Sequence, residues 1–215
     1  MKKKPIGFII PYYKNTEECE IYFKKLMENI SKQIETTQNL LIVVIEDGQK
    51  SKWLDTYASE IIKIHRNDTN KGVSYCRNWG IDYLIDKVNY IGFIDSDDSI
   101  ASDYLEIMCK YALDHTYDLL ELLIYVNEQR ADYTKEGQIR NAVWSYAFNT
   151  EIIGNKRFDE NLQFYEDANF THDVIDLEKQ RKVCVPAIYY YYYKRNPLSL
   201  SARFAEDPNV KYRNL

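Results

Sequence analysis

The chain has 215 residues, with 28 Lys and Arg against 33 Asp and Glu, for a formal charge of −5 with histidine neutral. Hydrophobic residues at 45% and charged residues at 28% are ordinary globular usage, which excludes a disordered, collagen-like or coiled-coil chain. The mild acidity gives no footprint for non-specific binding to nucleic acid, which needs a basic face, and the length suits one domain with a sizeable core.

No run approaches the roughly 18 apolar residues that span a bilayer, and the start lacks the apolar core of a signal peptide. The expected location is therefore cytoplasmic. The basic cluster Lys2 to Lys4 is read as a solvated terminus, with peripheral contact at the inner face of a membrane as the alternative. Cys19, Cys76, Cys109 and Cys184 are widely spaced, with no C-x-x-C pair. Three of them fall on apolar helix faces, the pattern of reduced, buried thiols rather than of disulfides or a zinc site.

In chain order, Ile6 to Ile10 is a short apolar run stopped by Pro11, which reads as a strand buried on both faces. From Glu17 to Ile34 the positions Phe23, Leu26, Met27, Ile30 and Ile34 form one helical stripe. Leu40 to Ile45 is a second buried strand ending at Glu46-Asp47-Gly48, and Ile61 to Ile64 a third ending at His65-Arg66-Asn67. A helix from about Ser74 to Asp86 leads to a fourth strand, Tyr90 to Ile94, ending at Asp95. Beyond Asp98 the pattern predicts a helix capped by Ser102 and a strand from Leu119 to Val126. A polar loop or hairpin spans Asn127 to Gln138, and a short apolar stretch runs from Trp144 to Ile153. Glu166 to Leu177 reads as a helix, and Val183 to Tyr193 as an extended segment.

Strands alternating with helices imply parallel β-α-β units, a sheet covered on both faces, and ligands outside the carboxyl ends of the strands. Each of the four early runs delivers polar residues at that end: Pro11-Tyr12-Tyr13, Glu46-Asp47, Arg66-Asn67 and Asp95-Ser96-Asp97-Asp98. Any strand can end in a polar turn, but four on one rim favour a site. If the chain stays extended, Asp95 and Asp97 share a side. Converging carboxylates suit a hard divalent cation, Mg²⁺ or Mn²⁺, shared with substrate phosphates. Asn70-Lys71-Gly72 precedes a helix carrying Arg77 and Asn78, where an arginine could pair with a diphosphate. Glu166 and Asp167 open the later helix, a place where the helix dipole stabilises acidic residues in any case. The three histidines, His65, His115 and His172, have no ligand spacing, and Trp144 and the tyrosine run read as core and strand. No dinucleotide or P-loop glycine pattern is present.

Several segments together resemble the inverting family-2 glycosyltransferases of the GT-A fold. They are Ile9-Ile10-Pro11-Tyr12-Tyr13-Lys14, Val43-Val44-Ile45-Glu46-Asp47-Gly48, and Asn70-x-Gly72 continuing to Arg77-Asn78-x-Gly80. Phe93-Ile94-Asp95-Ser96-Asp97-Asp98, Tyr165-Glu166-Asp167, and Tyr192-Tyr193-Lys194 with Ser199-x-Ser201 complete the set, in the family's order. The resemblance implies an α/β fold with a mostly parallel central sheet flanked by helices in a single domain. Residues from about 1 to 100 would bind a nucleotide-sugar, and those from about 101 to 205 the acceptor.

It further implies that Pro11 and Tyr13 flank the base, Glu46 meets its edge, and Arg77 and Asn78 support base and diphosphate. Asn70, Ser96 and Lys194 would join the donor site, Asp95 would lie near the ribose, and Asp97 with Asp95 would hold the metal. Asp98 would be adjacent support or an alternate ligand. Asp167 would be the general base, oriented by Glu166. The implied donor is a UDP-sugar and the implied acceptor a saccharide or lipid-linked saccharide in surface-polysaccharide or glycoconjugate assembly. Glu46 stands where the family has aspartate, Lys194 where it has arginine, and Tyr146 where relatives often carry lysine. The alternatives are a phage-type transferase acting on modified DNA bases and a catalytically degenerate nucleotide-sugar-binding protein. A sugar nucleotidylyltransferase would need a glycine-rich loop after the first strand, and Pro11 to Asn15 has no glycine.

Overall fold

A computed structural model describes residues 4–192 apart from 115, 132, 136 and 163. Lys2, Lys3, His115, Tyr193, Lys194 and the Ser199 to Ser201 segment lie outside the described residues. The described chain builds one continuous sheet. Its strands are β1 (Lys4–Tyr12), β2 (Leu40–Asp47), β3 (Ile62–Asn67), β4 (Val88–Phe93), β5 (Ser99–Ile100), β6 (Leu119–Val126), β7 (Gln129–Ala131), β8 (Tyr146–Asn149) and β9 (Lys182–Tyr191). The helices are α1 (Glu17–Ile34), α2 (Val73–Leu84), α3 (Tyr104–Ala112), α4 (Thr150–Ile153) and α5 (Glu166–Val174). The order across the sheet is β3-β2-β1-β4-β8-β6-β9-β5, with β7 paired to β6. The first four strands are mutually parallel. β8 runs antiparallel to both β4 and β6, and β6 and β9 are parallel.

The apolar runs become strands because both sheet faces are covered. On one face Ile6, Phe8 and Ile10 of β1 and Ile42 and Val44 of β2 pack with α1 and α3. On the other, Ile9, Val43 and Ile45 pack with α2, α4 and α5. The stripe on α1 buries Phe23, Leu26, Met27 and Ile30, worth roughly 6–12 kcal/mol as an upper bound on the area removed from water. Thr16 caps this helix, its hydroxyl accepting the Cys19 N–H at 3.1 Å. Buried Gln33 then ties α1 to α3, donating to the Ala101 carbonyl at 2.9 Å and accepting the Leu105 N–H at 2.8 Å. Cys19, Cys76 and Cys109 are buried free thiols, while Cys184 is exposed. Trp144 and Tyr189 are core residues, stacked 5.2 Å apart.

Several boundaries differ from the sequence reading. Pro11 does not stop β1, which pairs Pro11 with Ile45 and Tyr12 with Glu46, since a proline near a strand's end loses only one ladder donor. β3 continues through His65, Arg66 and Asn67 because their partners on β2 extend as far as Asp47. The Asn127–Gln138 region, by contrast, does begin as a hairpin, its short strand β7 turned back on β6 by Asn127 and Glu128 at positive φ. The apolar stretch from Trp144 divides into a 3₁₀ turn (Val143–Ser145), β8 and α4. Within the run read as the strand Leu119 to Val126, Glu121 is fully buried.

Among the described residues no helix is long and apolar enough to cross a membrane. The approach of α2 to β1 depends on Gly80: a Cβ built there would lie 2.6 Å from Cγ2 of Ile9. Gly80→Ala is thus expected to lower stability by about 1–3 kcal/mol through overpacking, although alanine is the better helix former. Urea denaturation checks this, and an unchanged or raised midpoint would contradict the packing.

Candidate active site

The parallel register brings the carboxyl ends of β1 to β4 to one edge, so the four polar termini do share a rim. Pro11 is half-buried there; alternation then turns Tyr12 into the core and leaves Tyr13 44% exposed. At the end of β2, Asp47 organises the approach to α2. Its carboxylate accepts from Asn67 Nδ2 at 2.8 Å, Lys71 N at 2.8 Å and Gly72 N at 2.9 Å. Asn70 closes the same turn by accepting the Gly72 N–H at 3.0 Å. Gly48, at φ +80°, passes so near this loop that a Cβ would sit 2.5 Å from Asn70 N.

Glu46 is fully enclosed. One oxygen accepts Ser51 N at 2.6 Å and the other Arg66 Nε at 2.7 Å, and the same arginine reaches Asp55 at 2.7 Å. In this arrangement the longer side chain engages its own strand neighbours rather than the open rim. Asn78 also faces inward: it donates to the Phe158 carbonyl at 3.0 Å and Glu160 at 2.8 Å and accepts the Phe158 N–H at 2.8 Å. It therefore pins the 158–160 segment behind the site.

Arg77 is the centre of the site. It lies one turn into α2 with its side chain 3% exposed, and its guanidinium is shared by three carboxylates. Nη2 bonds Asp95 at 3.0 Å, while Nη1 bonds Glu166 at 3.3 Å and also Asp167. Phe158 lies against the guanidinium, 5.3 Å from ring centroid to Cζ. Asp95 comes from the end of β4, and Glu166 and Asp167 from the first turn of α5, so residues 89 and 90 positions apart in sequence meet on one cation.

One guanidinium cannot neutralise three carboxylates. Burial, with Glu166 and Asp95 adding to it against the pull of Arg77 and of the Val143 N–H, pushes Asp167 up to about 7. The Val143 N–H donates to Asp167 Oδ2 at 3.4 Å. Tyr165, just before these acids, adopts the left-handed conformation (φ +65°) with its side chain at the surface.

After β4 the chain folds into a tight turn, Asp98 N donating to the Asp95 carbonyl at 3.2 Å. The extended geometry expected to align Asp95 and Asp97 therefore does not persist. Asp95 turns to Arg77, whereas Asp97 and Ser96 are half-buried in the turn. Asp97 lies near the start of α1, where, after burial itself and against Thr16, it helps raise the Cys19 thiol. Asp98 is buried and faces away from the rim, accepting Tyr189 Oη at 2.9 Å and Tyr192 N at 3.0 Å. Its carboxylate is thereby tied to β9. Burial, then Asp97 and Asp95, raises its carboxyl well above the usual range.

Sequence reasoning missed Tyr189, whose hydroxyl also accepts the Asp95 N–H at 2.9 Å, and the backbone of Val143. Tyr189 stood in a tyrosine run without any distinguishing signal, and a backbone donor carries none.

Residues 8–175 match the Glycosyl transferase family 2 profile. Among curated relatives, the glycosyltransferase EpsJ of Bacillus subtilis is 24% identical, covering 91% of this chain and 62% of its own length. The minor teichoic acid biosynthesis protein GgaA of the same organism is 25% identical, covering 92% of this chain and 49% of its own. The chain thus spans about half to three-fifths of the length of these two relatives. Staphylococcus aureus TarS in complex with UDP-GlcNAc superposes with a TM-score of 0.74 at 20% identity, over 94% of this chain and 61% of that one. A mannosyltransferase from Pyrobaculum calidifontis, in complex with GDP-Man and Mn²⁺, gives 0.64 at 13% identity, over 91% and 59%. The fold is GT-A, and the chain belongs to glycosyl transferase family 2.

Proposed function

We propose that this chain is the nucleotide-sugar-binding and catalytic part of an inverting glycosyltransferase. It would move a sugar from a nucleoside-diphosphate sugar, a UDP-sugar by preference, to a hydroxyl of a saccharide or lipid-linked saccharide. The observation that carries the reading is the Arg77 cluster, which joins the acidic turn after β4 to the Glu166-Asp167 pair on α5. Support for the donor class comes from TarS, solved with UDP-GlcNAc. GgaA, a teichoic acid biosynthesis protein, supports a surface-polymer setting. Division into a donor half up to about residue 100 and an acceptor half beyond it follows from where these two acidic groups originate.

The donor would lie along the rim, with Pro11 and Tyr13 beside the base, Asn70, Asp95 and Ser96 toward the ribose and diphosphate, and Lys194 as a further cation. Arg77 acts here as an organiser of carboxylates, and Glu46 would reach a base only by leaving Arg66. The residues of the turn fit a divalent cation in their chemistry: Asp97 and Asp95 are hard oxygen donors, and Mg²⁺ or Mn²⁺ is commonly held by one or two carboxylates plus substrate phosphates. When bound, such an ion would offset the charge that develops on the departing diphosphate. The Mn²⁺ in the Pyrobaculum enzyme supports this assignment.

In the transfer, Asp167 takes the proton of the acceptor hydroxyl as its oxygen bonds to the anomeric carbon. The carbon–oxygen bond to the diphosphate breaks, the nucleoside diphosphate leaves with the electron pair, and the configuration inverts. Arg77 and Glu166 hold the base in place, and Asp167 then returns its proton to solvent.

Asp167→Asn is expected to cut turnover by about 10²–10⁴-fold, the worth of general-base assistance, while leaving UDP binding intact; transfer near the wild-type rate would sink the assignment. Because Asp167 is pushed up to about 7, it is protonated and inactive below that pH. The rate should rise through pH 6–8 and fall about tenfold per unit on the acid side, and a profile flat from pH 5.5 to 8.5 would exclude it. UDP with Mn²⁺ at about a hundredfold over its Kd should stabilise the protein by about 2.7 kcal/mol, and the shift should vanish with chelator or in Asp97→Ala. Thermal denaturation with UDP, GDP and CDP measures this; a shift with GDP or CDP alone would reassign the base, and none at all would overturn the donor site.

A further inference from the structure

Glu121 is a carboxylate that the reaction above does not use, yet it is fully buried within β6. Burial of a charge is tolerated only with close partners, and Glu121 has them on both oxygens. Oε2 pairs with Lys182 of β9 at 2.7 Å. Oε1 accepts both the N–H and the hydroxyl of Thr134 at 2.8 Å and stands 3.7 Å from Arg140 Nε. Thr134 and Arg140 belong to the segment that crosses this face of the sheet between β7 and β8.

That segment is fastened at successive points. Arg140 donates its side chain to the Leu122 carbonyl at 3.2 Å and its backbone N–H to Tyr146 Oη at 2.8 Å. Asn141 contacts His172 of α5 at 2.8 Å. The next fastening is the Val143 N–H on Asp167 Oδ2. The described residues between Thr134 and Val143 therefore form a strap, tied to the sheet at Glu121 and to α5 at Asp167. A surface loop would need no buried ion pair to stay attached, so the cost of burying Glu121 points to a need for fixed geometry at the strap's far end.

We infer that Glu121 is a positioning residue for the catalytic base, holding the strap so that the Val143 N–H fixes the orientation of the Asp167 carboxylate toward the acceptor. This rests on the reading of Asp167 given above. The bond from Val143 occupies Oδ2 and that from Arg77 occupies Oδ1, so the carboxylate is gripped from both ends and its rotation is blocked. Loss of the Val143 grip should lower turnover without weakening donor binding.

The test uses Glu121→Gln, Val143→Pro and the double variant. Val143 opens a 3₁₀ turn after Ala142 at φ −118°, ψ 116°, the backbone a residue before proline prefers, so proline there deletes the N–H without straining the turn, while the lost packing of the buried valine is read separately from the urea midpoint. UDP release from UDP-GlcNAc with Mn²⁺ reads kcat and KM, UDP binding reads the donor site, and amide hydrogen exchange reads the strap. Each single variant should lose about five- to tenfold in kcat, the scale of one ordinary intramolecular hydrogen bond, with UDP affinity unchanged. The double variant should be no slower than the slower single one. In Glu121→Gln the Val143 amide should exchange at least about tenfold faster while the amides of α2 do not change.

An unchanged kcat in either single variant, losses that multiply in the double, or a Val143 amide equally protected in Glu121→Gln would overturn the inference. If Glu121→Gln does not fold, Thr134→Val removes one of its bonds and takes its place in the same measurements. If instead the wild type releases no UDP, or Asp167→Asn is as active as wild type, the reading of the site fails, and the exchange result still decides whether Glu121 holds the strap.

Discussion

The site is built around a single buried cation. Arg77 has almost no access to water and gathers carboxylates from β4 and α5, so neither half of the site is set without it. Removing one partner from such a buried network costs several kcal/mol because the remaining charges are left uncompensated. Burial in this cluster has a chemical consequence as well. With Glu166 and Asp95 adding to it, burial holds Asp167 near neutrality in its proton affinity, where a carboxylate is far more basic than in water and yet can ionise at physiological pH.

The sheet explains how those carboxylates meet. Parallel strands β1 to β4 deliver polar ends to one rim, the general property of open α/β sheets. The change to antiparallel pairing at β8 brings the second part of the chain back beside β4. The 3₁₀ turn that precedes β8 then lies against the first turn of α5, where Val143 meets Asp167. Tyr189 of β9 completes the junction: its ring stacks on Trp144 while its hydroxyl serves both Asp95 and Asp98. The acidic turn and the first turn of α5 are thus braced by neighbouring residues of the same strand and turn.

Inside this frame, residues of one motif do unlike work. Asp95, Asp97 and Asp98 are adjacent in sequence, but the turn sends the first to Arg77, leaves the second half-buried near α1, and seals the third against β9. Arg77 and Asn78 likewise diverge, one to the acids and the other to the 158–160 backbone. Glu46 and Asp47 part in the same way, toward Arg66 and toward the loop before α2. In each pair, neighbouring side chains leave the backbone in different directions, so a motif read as one functional unit contains both contacts and supports.

What the sequence alone determined is local and periodic. Uninterrupted apolar runs could only be strands covered on both faces, the stripe on α1 could only face a core, and strand-helix alternation implied parallel pairing, with polar ends on one rim. The order and spacing of the motifs also pointed to the family. Only the tertiary structure decided which acids share Arg77, that Glu46, Asn78 and Asp98 turn inward, and that Tyr189, Val143 and Glu121 matter. Those outcomes depend on contacts between residues tens of positions apart, on backbone donors that every residue possesses, and on the turn after β4 that breaks strand alternation. Hydrophobic period records which face of an element is buried; it carries no record of which polar groups that burial will bring together.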